Sequence, residues 1–376
     1  MAGFETELAA LVTADAEGDN TIATWSPAFE LLGLLSEGQS LGETVVNDSA
    51  SSVLAYYHTV DKNIRVIDRG RMSDHQDNTM VLAHEFVHAL QDEDSQLREF
   101  GDQWGGTTDS DVALSTLTEG EAILISAAVL ETTLQPNQYI NWDGMTDGAF
   151  ENSFSVIADA DEPFITAVSA QPYAMGLARL APLWLSDGPS GIARQYDQPK
   201  TSLLDWYRGE GQPGDTNVQP LDCHPTAPPV GYSAVDHDTL GMTALLAIGL
   251  DTIADSPWHG ADDWRNDSVV VFTSDDGPNA AAVSWRIRMS DTVALERLAT
   301  AFEQRSPELR IVLSDIELLV LGATDPAILD AWLAVGNCGT ASDLPEAAHD
   351  DVNDTGALRI RPAAPLNVRS ARIRFR

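Results

Sequence analysis

Lysine is almost missing from this chain of 376 residues. Only Lys62 and Lys200 occur, and 21 basic residues in all face 58 acidic ones, for a formal net charge of −37 at pH 7. A surface of that sign repels phosphate backbones and anionic bilayers, so nucleic acid is not an expected partner. The bias suits a saline setting; a secreted protein from a GC-rich genome would carry it too. Cysteine is equally scarce. Cys223 and Cys338 stand alone, outside any Cys-x-x-Cys pair, which excludes a thiolate metal site of that type. Long apolar runs are also missing. The most apolar, at residues 316–321, falls far short of the roughly 20 residues that span a bilayer, so no transmembrane segment is expected. Residues 1–4 lead into an acidic amphipathic stretch without the pattern of a secretory leader. What remains is ordinary: 43% hydrophobic residues, enough for one large core or two lobes.

Histidine is sparse as well, with eight in the chain, yet two of them stand four residues apart in His84-Glu85-Phe86-Val87-His88. On a helix, positions i and i+4 share a face, so His84 and His88 can offer two imidazole nitrogens to one metal ion. Glu85 lies one step round from His84, within reach of a water on that ion. This is the zinc-hydrolase arrangement of two histidine ligands and a glutamate general base. Asp77 or Asn78 is a suitable N-cap. Leu82, Phe86, Ala89 and Leu90 fall on the face away from the histidines and are expected to be buried, leaving the chemistry on the opposite face with Asp92. Asp92, one turn beyond His88, is a candidate acceptor for an imidazole N–H, or a solvated side chain at a helix end.

A catalytic zinc site usually takes three protein ligands. The next histidine after His88 is His224, so a nearby third histidine is excluded. Residues 110–130 carry a helical pattern containing Glu119-Gly120-Glu121-Ala122. Glu119 and Glu121 are both candidates. Glycine inside a helix costs about 1 kcal/mol relative to alanine, which suggests close packing at Gly120, with the metal helix as the expected neighbour.

His-Glu-x-x-His followed by a helix with Glu-Gly-x-Ala resembles the gluzincin metallopeptidases, which include thermolysin and the zinc aminopeptidases. In the aminopeptidases the ligand glutamate opens the Glu-Gly-Phe-Ala part of an Asn-Glu-Gly-Phe-Ala stretch. Residues 118–122 match that register, which implies Glu119 as the ligand, although the interval from His88 is longer than is usual there. The chain also resembles a group of largely uncharacterised secreted bacterial and archaeal proteins. They share His84 to Asp92, Glu119 to Ala122, and Pro172-Tyr173-Ala174-Met175-Gly176. The resemblance runs from about residue 50 to about 300. It implies a zincin-like core in an α+β fold, one catalytic Zn²⁺, a peptide or protein substrate, and an extracytoplasmic setting with the leader not present in this chain. Gluzincins often place a Tyr or His beside the zinc to stabilise an oxyanion; Tyr173 is the first candidate here, with His224 and His237 behind it. In an extracytoplasmic protein Cys223 and Cys338 can pair, closing a loop worth roughly 4–5 kcal/mol in the chain-entropy model; two unpaired thiols are the alternative.

The rest of the chain divides into a catalytic region over 1–208, a Pro/Gly-rich linker or loop over 209–235, and an α+β region over 236–376. Two short helices are expected within 4–35, and a hairpin within 53–68. Its second run, residues 64–68, is the candidate edge along which an extended substrate adds as a strand. His58 and His75 read as ordinary polar residues before they read as site residues. Residues 94–109 look like a surface connection, and 131–165 like a long loop with one short helix. Helical patterns follow at 164–184 and 188–206. Beyond the linker come a helix at 238–253, a hairpin joining 268–272 to 281–289, a helix at 291–305, two short apolar runs, and a helix near 327–335. Residues 358–376 hold six arginines, read as a strand on the acidic body or as a disordered tail. The expected function is a zinc-dependent peptidase with His84, His88 and Glu119 as ligands and Glu85 as base. The alternatives are a non-catalytic zinc-containing surface protein and a hydrolase of non-peptide amides in cell-wall material.

Overall fold

Two apolar spacings build the molecule, a helical period of 3.6 and a strand period of 2. The computed structural model describes residues 21–67, 75–134, 140–209, 211, 214, 216–222, 227–249, 258–275, 277–305 and 308–335. The protein is α+β: helices fill the chain up to Arg208, apart from one small hairpin, and a five-stranded antiparallel sheet dominates beyond it.

The first elements are α1 (Thr21–Leu32), α2 (Leu41–Ser52) and the hairpin of β1 (Ala55–His58) with β2 (Asn63–Val66). Then come α3 (His75–Ser95), α4 (Leu97–Trp104), α5 (Thr108–Leu134), α6 (Trp142–Ala158), α7 (Pro163–Asp187), α8 (Pro189–Asp197) and α9 (Leu203–Arg208). α5 packs against both α3 and α7 and is the axis of this half. It is the one described helix apolar and long enough to cross a membrane by composition, but 61% of its apolar window is buried inside the protein. Its apolarity reflects its place in the core, through Val112, Leu117 and Leu124.

Several expectations change here. α3 begins at His75, so Asp77 and Asn78 lie inside the helix rather than at its cap. Its buried face is the reverse of the expected one. Phe86 and Leu90 are 61% and 60% exposed, whereas His84, Glu85, His88, Gln91 and Asp92 are buried. Spacing separates two faces of a helix but does not say which one a neighbour covers; here α5 and β1 cover the polar one. The tight neighbour of Gly120 is α7 rather than α3. A Cβ on Gly120 would lie 2.4 Å from the Gly176 Cα of α7, and one on Gly176 would lie 2.2 Å from the Thr116 carbonyl oxygen of α5. Residues 97–104 form α4 instead of a connecting loop. The polar stretch after α5 folds into α6, started by Asn141, whose side chain accepts from the Gly144 amide.

The second half adds β3 (Tyr232–Asp238), α10 (Gly241–Gly249), α11 (Trp258–Ala261), β4 (Trp264–Ser274), β5 (Gly277–Met289), α12 (Thr292–Arg305), β6 (Arg310–Ser314), β7 (Glu317–Ala323) and α13 (Leu329–Val335). The expected hairpin is β4 with β5, paired Val271 to Val283. β3 occupies residues read as loop and helix start. The sheet order is β3-β4-β5-β7-β6. Strand alternation sends Val269, Val271, Val283, Trp285, Ile287 and Val320 into the main core, which also holds Leu117 and Leu180 of α5 and α7. The opposite face buries Val270, Phe272, Leu319 and Leu321 under Leu329 and Trp332 of α13.

Carboxylates join the halves at the start of α5. Asp238 accepts from the Thr108 amide at 2.8 Å, favourable at a helix N-terminus. Asp109 donates its amide to the Thr239 carbonyl and accepts from the Leu203 amide. Asp267 of β4 accepts from the amides of Leu240 and Gly241 and from the indoles of Trp264 and Trp285. Residues 1–20, Cys223, His224, Cys338 and the arginine-rich stretch lie outside the described residues.

Candidate metal centre

One turn of α3 separates His84 from His88, and their Nε2 atoms converge to 3.0 Å. From α5, Glu119 brings Oε2 to 3.0 Å from His84 Nε2 and 3.3 Å from His88 Nε2. A tetrahedral ion with bonds of about 2.0–2.1 Å holds its donors roughly 3.3 Å apart. The three donor atoms therefore fit the coordination of one small cation, and two imidazoles with a carboxylate is a donor set that suits zinc. Among the described residues this is the one group of histidine, cysteine and acidic side chains so placed.

Without a metal, protons and ion pairing balance these charges. Burial pulls the His84 imidazolium down, and its pKa is lowered. Burial acts on His88 too, but the Glu119 charge and hydrogen bond, with Glu85 and Gln91, outweigh it and the pKa is raised. Glu119 is held well below the usual carboxylate range: burial opposes this, and His88 and the two imidazole hydrogen bonds prevail.

Glu85 lies beside the triad, fully buried. Burial, and then the Glu119 charge, push its pKa up to about 8 against the pull of His88 and the Tyr57 amide. That amide lies near the carboxylate, yet neither Glu85 oxygen has a partner at hydrogen-bonding geometry. The hairpin register explains the approach. Ile67 N–H donates to the Leu54 carbonyl, so the 54/67 and 56/65 pairs carry the ladder bonds. The amides of Ala55 and Tyr57 then turn to the other edge of β1. The strand edge beside Glu85 is thus β1, not residues 64–68.

Tyr173 of α7 stacks on His84, with ring centroids 5.9 Å apart and planes 25° apart. Its hydroxyl is buried beside the Glu119 carboxylate, short of good hydrogen-bonding geometry, and feels the charges of Glu119 and Glu85. The close Gly120–Gly176 crossing sets the distance of this helix from the triad.

The remaining candidates part company with the centre. Glu121 points away from the triad and accepts from Gln91 Nε2 at 2.9 Å and from the Tyr196 hydroxyl at 2.7 Å. Asp92 is neither solvated nor bonded to a histidine. It accepts from the Tyr57 hydroxyl, Lys62 Nζ and the Leu97 amide, which ties the hairpin and α4 to α3. The acceptor for His88 is Gln91, whose Oε1 lies 2.8 Å from Nδ1. His58 accepts from the Asp61 amide in the hairpin turn. His75 is the first residue of α3, and His237 sits on β3 opposite Val270. Gln91 was within reach of sequence reasoning, three residues beyond His88 on the same face. Tyr57 and Tyr196 carry no local signal, because tertiary packing alone brings them here. No protein-family model, curated protein or solved structure matches the chain.

Proposed function

We propose that the protein is a metal-dependent hydrolase with a zincin-like core, and more particularly a gluzincin-type zinc peptidase acting on extended peptide substrates. The observation that carries this reading is the convergence of His84 Nε2, His88 Nε2 and Glu119 Oε2 within 3.3 Å, with the buried carboxylate of Glu85 beside them. A purely structural site has no use for an adjacent base without a partner.

His84, His88 and Glu119 would hold the ion, which supplies Lewis acidity at a substrate carbonyl and lowers the pKa of water towards neutrality. The chain's own groups do the rest. Glu85 takes the proton of the attacking water on a carboxylate oxygen and returns it to the leaving nitrogen. The Tyr173 hydroxyl donates to the carbonyl oxygen as negative charge develops there. β1, whose Tyr57 amide approaches Glu85, would border an extended substrate backbone. Burial of the whole group strengthens each of these interactions by removing water.

The test is metal content and hydrolysis together. Purified wild type is expected to hold about one zinc per chain and to cleave an unfolded protein such as casein. Glu85→Gln is expected to keep the zinc and lose the cleavage, and Glu119→Ala to lose both. Wild type that holds no zinc after reconstitution would refute the reading. Zinc bound without cleavage of peptide or cell-wall amide would favour a binding protein.

A further inference from the structure

Glu121 lies two residues from Glu119 and takes no part in the triad. Its position becomes intelligible through Gln91. The Gln91 side-chain nitrogen has two partners, the Thr118 carbonyl and Glu121 Oε2, both at 2.9 Å. Both are acceptors, so the amide hydrogens must face them. A flipped amide would set its oxygen against two oxygens. With the nitrogen so fixed, Gln91 Oε1 faces His88 Nδ1 at 2.8 Å and can only accept. His88 must then carry a proton on Nδ1. In the neutral ring that leaves the Nε2 lone pair free, and Nε2 is the atom that meets His84 and Glu119. The Tyr196 hydroxyl of α8 donates to the same Glu121 oxygen at 2.7 Å and holds it in place.

We infer that Tyr196, Glu121 and Gln91 form a relay of positioning residues that locks His88 in the Nδ1–H tautomer and so prepares its Nε2 to bind the metal. The inference rests on the proposed metal centre. α5 thereby acts on both sides of one imidazole. Glu119 meets its Nε2 face, and Thr118 with Glu121 orients the group on its Nδ1 face. Partners of this kind typically change metal affinity about 10- to 100-fold when removed.

The experiment uses the full chain with ¹⁵N-labelled histidine. The tautomer is read from the side-chain ¹H–¹⁵N spectrum, and zinc affinity from competition with a chromogenic chelator. Wild type is expected to show a slowly exchanging Nδ1–H on His88. Gln91→Met, which keeps the length but removes the amide, is expected to lose that protection and to bind zinc about 10- to 100-fold more weakly. Glu121→Leu frees the amide to flip and is expected to act in the same direction. Tyr196→Phe removes one hydroxyl and should shift the Nδ1–H resonance without loss of fold. That milder variant decides the matter if Gln91→Met does not fold. A merely structural role would leave the tautomer unchanged. A His88 that lacks a proton on Nδ1 in metal-free wild type, or an Nδ1–H and zinc affinity indifferent to all three substitutions, would overturn the relay. Absence of zinc from wild type would refute the metal centre instead, and the metal-free spectrum would still report on the relay.

Discussion

Glu85 holds two carboxylate oxygens in the interior with no hydrogen-bonded partner. An unsatisfied buried group of this kind costs roughly 1–3 kcal/mol, more when charged. Glu85→Leu is therefore expected to raise the thermal midpoint of the metal-free protein while it abolishes hydrolysis. A lower midpoint in calorimetry would contradict that assignment of strain. Tyr173 makes the same argument in a second form. Its hydroxyl is also orphaned, so Tyr173→Phe should leave stability nearly unchanged. If the hydroxyl donates only as the carbonyl oxygen gains charge, the substitution lowers kcat by roughly 10²- to 10³-fold with little change in KM. Equal loss in KM and none in kcat would place the hydroxyl in substrate binding. At this scale His84, Glu85 and His88 were readable, because four-residue spacing on a helix is a local property. The partner of His88 was not. Gln91 and Asp92 both stand within one turn of it, and only the neighbours of the helix decide that Gln91 meets the ring while Asp92 meets Tyr57 and Lys62.

Between elements, the crossing of α5 and α7 sets the geometry of the centre. A Cβ at Gly176 would come within 2.2 Å of the Thr116 carbonyl, and one at Gly120 within 2.4 Å of the opposing Cα. Backbone cannot yield as a flexible side chain does, so Gly176→Ala must push α7 outward and carry Tyr173 with it. The expected cost is about 1–3 kcal/mol of stability, the range for overpacked cores, together with weaker hydrolysis. Urea unfolding and steady-state kinetics on Gly120→Ala and Gly176→Ala test this; wild-type behaviour in both would show that the crossing is looser than the contact distances. A glycine inside each helical pattern was visible in the sequence. Which two helices it joins was not, because the α5–α7 crossing is a contact between distant segments. Which face of α3 is buried is hidden from the sequence for the same reason. Its apolar stripe lies outside because α5 and β1 cover the polar one.

Across the whole molecule, the junction between the helical half and the sheet is built from buried carboxyls. Burial pushes Asp109 up to about 8 and Asp238 to about 7, with the charge of Asp267 adding to both. Burial likewise pushes Asp267 up to about 6, against four hydrogen bonds that favour its charged form. A carboxyl with a raised folded-state pKa keeps its proton after the unfolded chain has lost it. Between the ordinary value of 3.8 and the raised one, the folded state binds more protons, so stability falls as pH rises through that window. Glu85 and His88, both raised, act in the same direction in the metal-free protein, while His84, lowered by burial from its ordinary 6.5, opposes them without cancelling five raised groups. The thermal midpoint of that form should therefore decline from pH 5 to pH 9, and Asp109→Asn, which keeps an acceptor for the Leu203 amide, should flatten the decline. A midpoint that rises over this range would exclude the junction as a source of pH sensitivity.

The sequence by itself determined the β4–β5 hairpin and the helix with His84, Glu85 and His88, because each rests on spacing within one continuous stretch. Only the tertiary structure decided that Glu119 rather than Glu121 faces the histidines, that β1 rather than β2 borders Glu85, and that Gln91 holds the far side of His88. Those choices depend on how α3, α5, α7, α8 and the hairpin pack together, and packing between distant segments leaves no periodic mark in the chain that makes it.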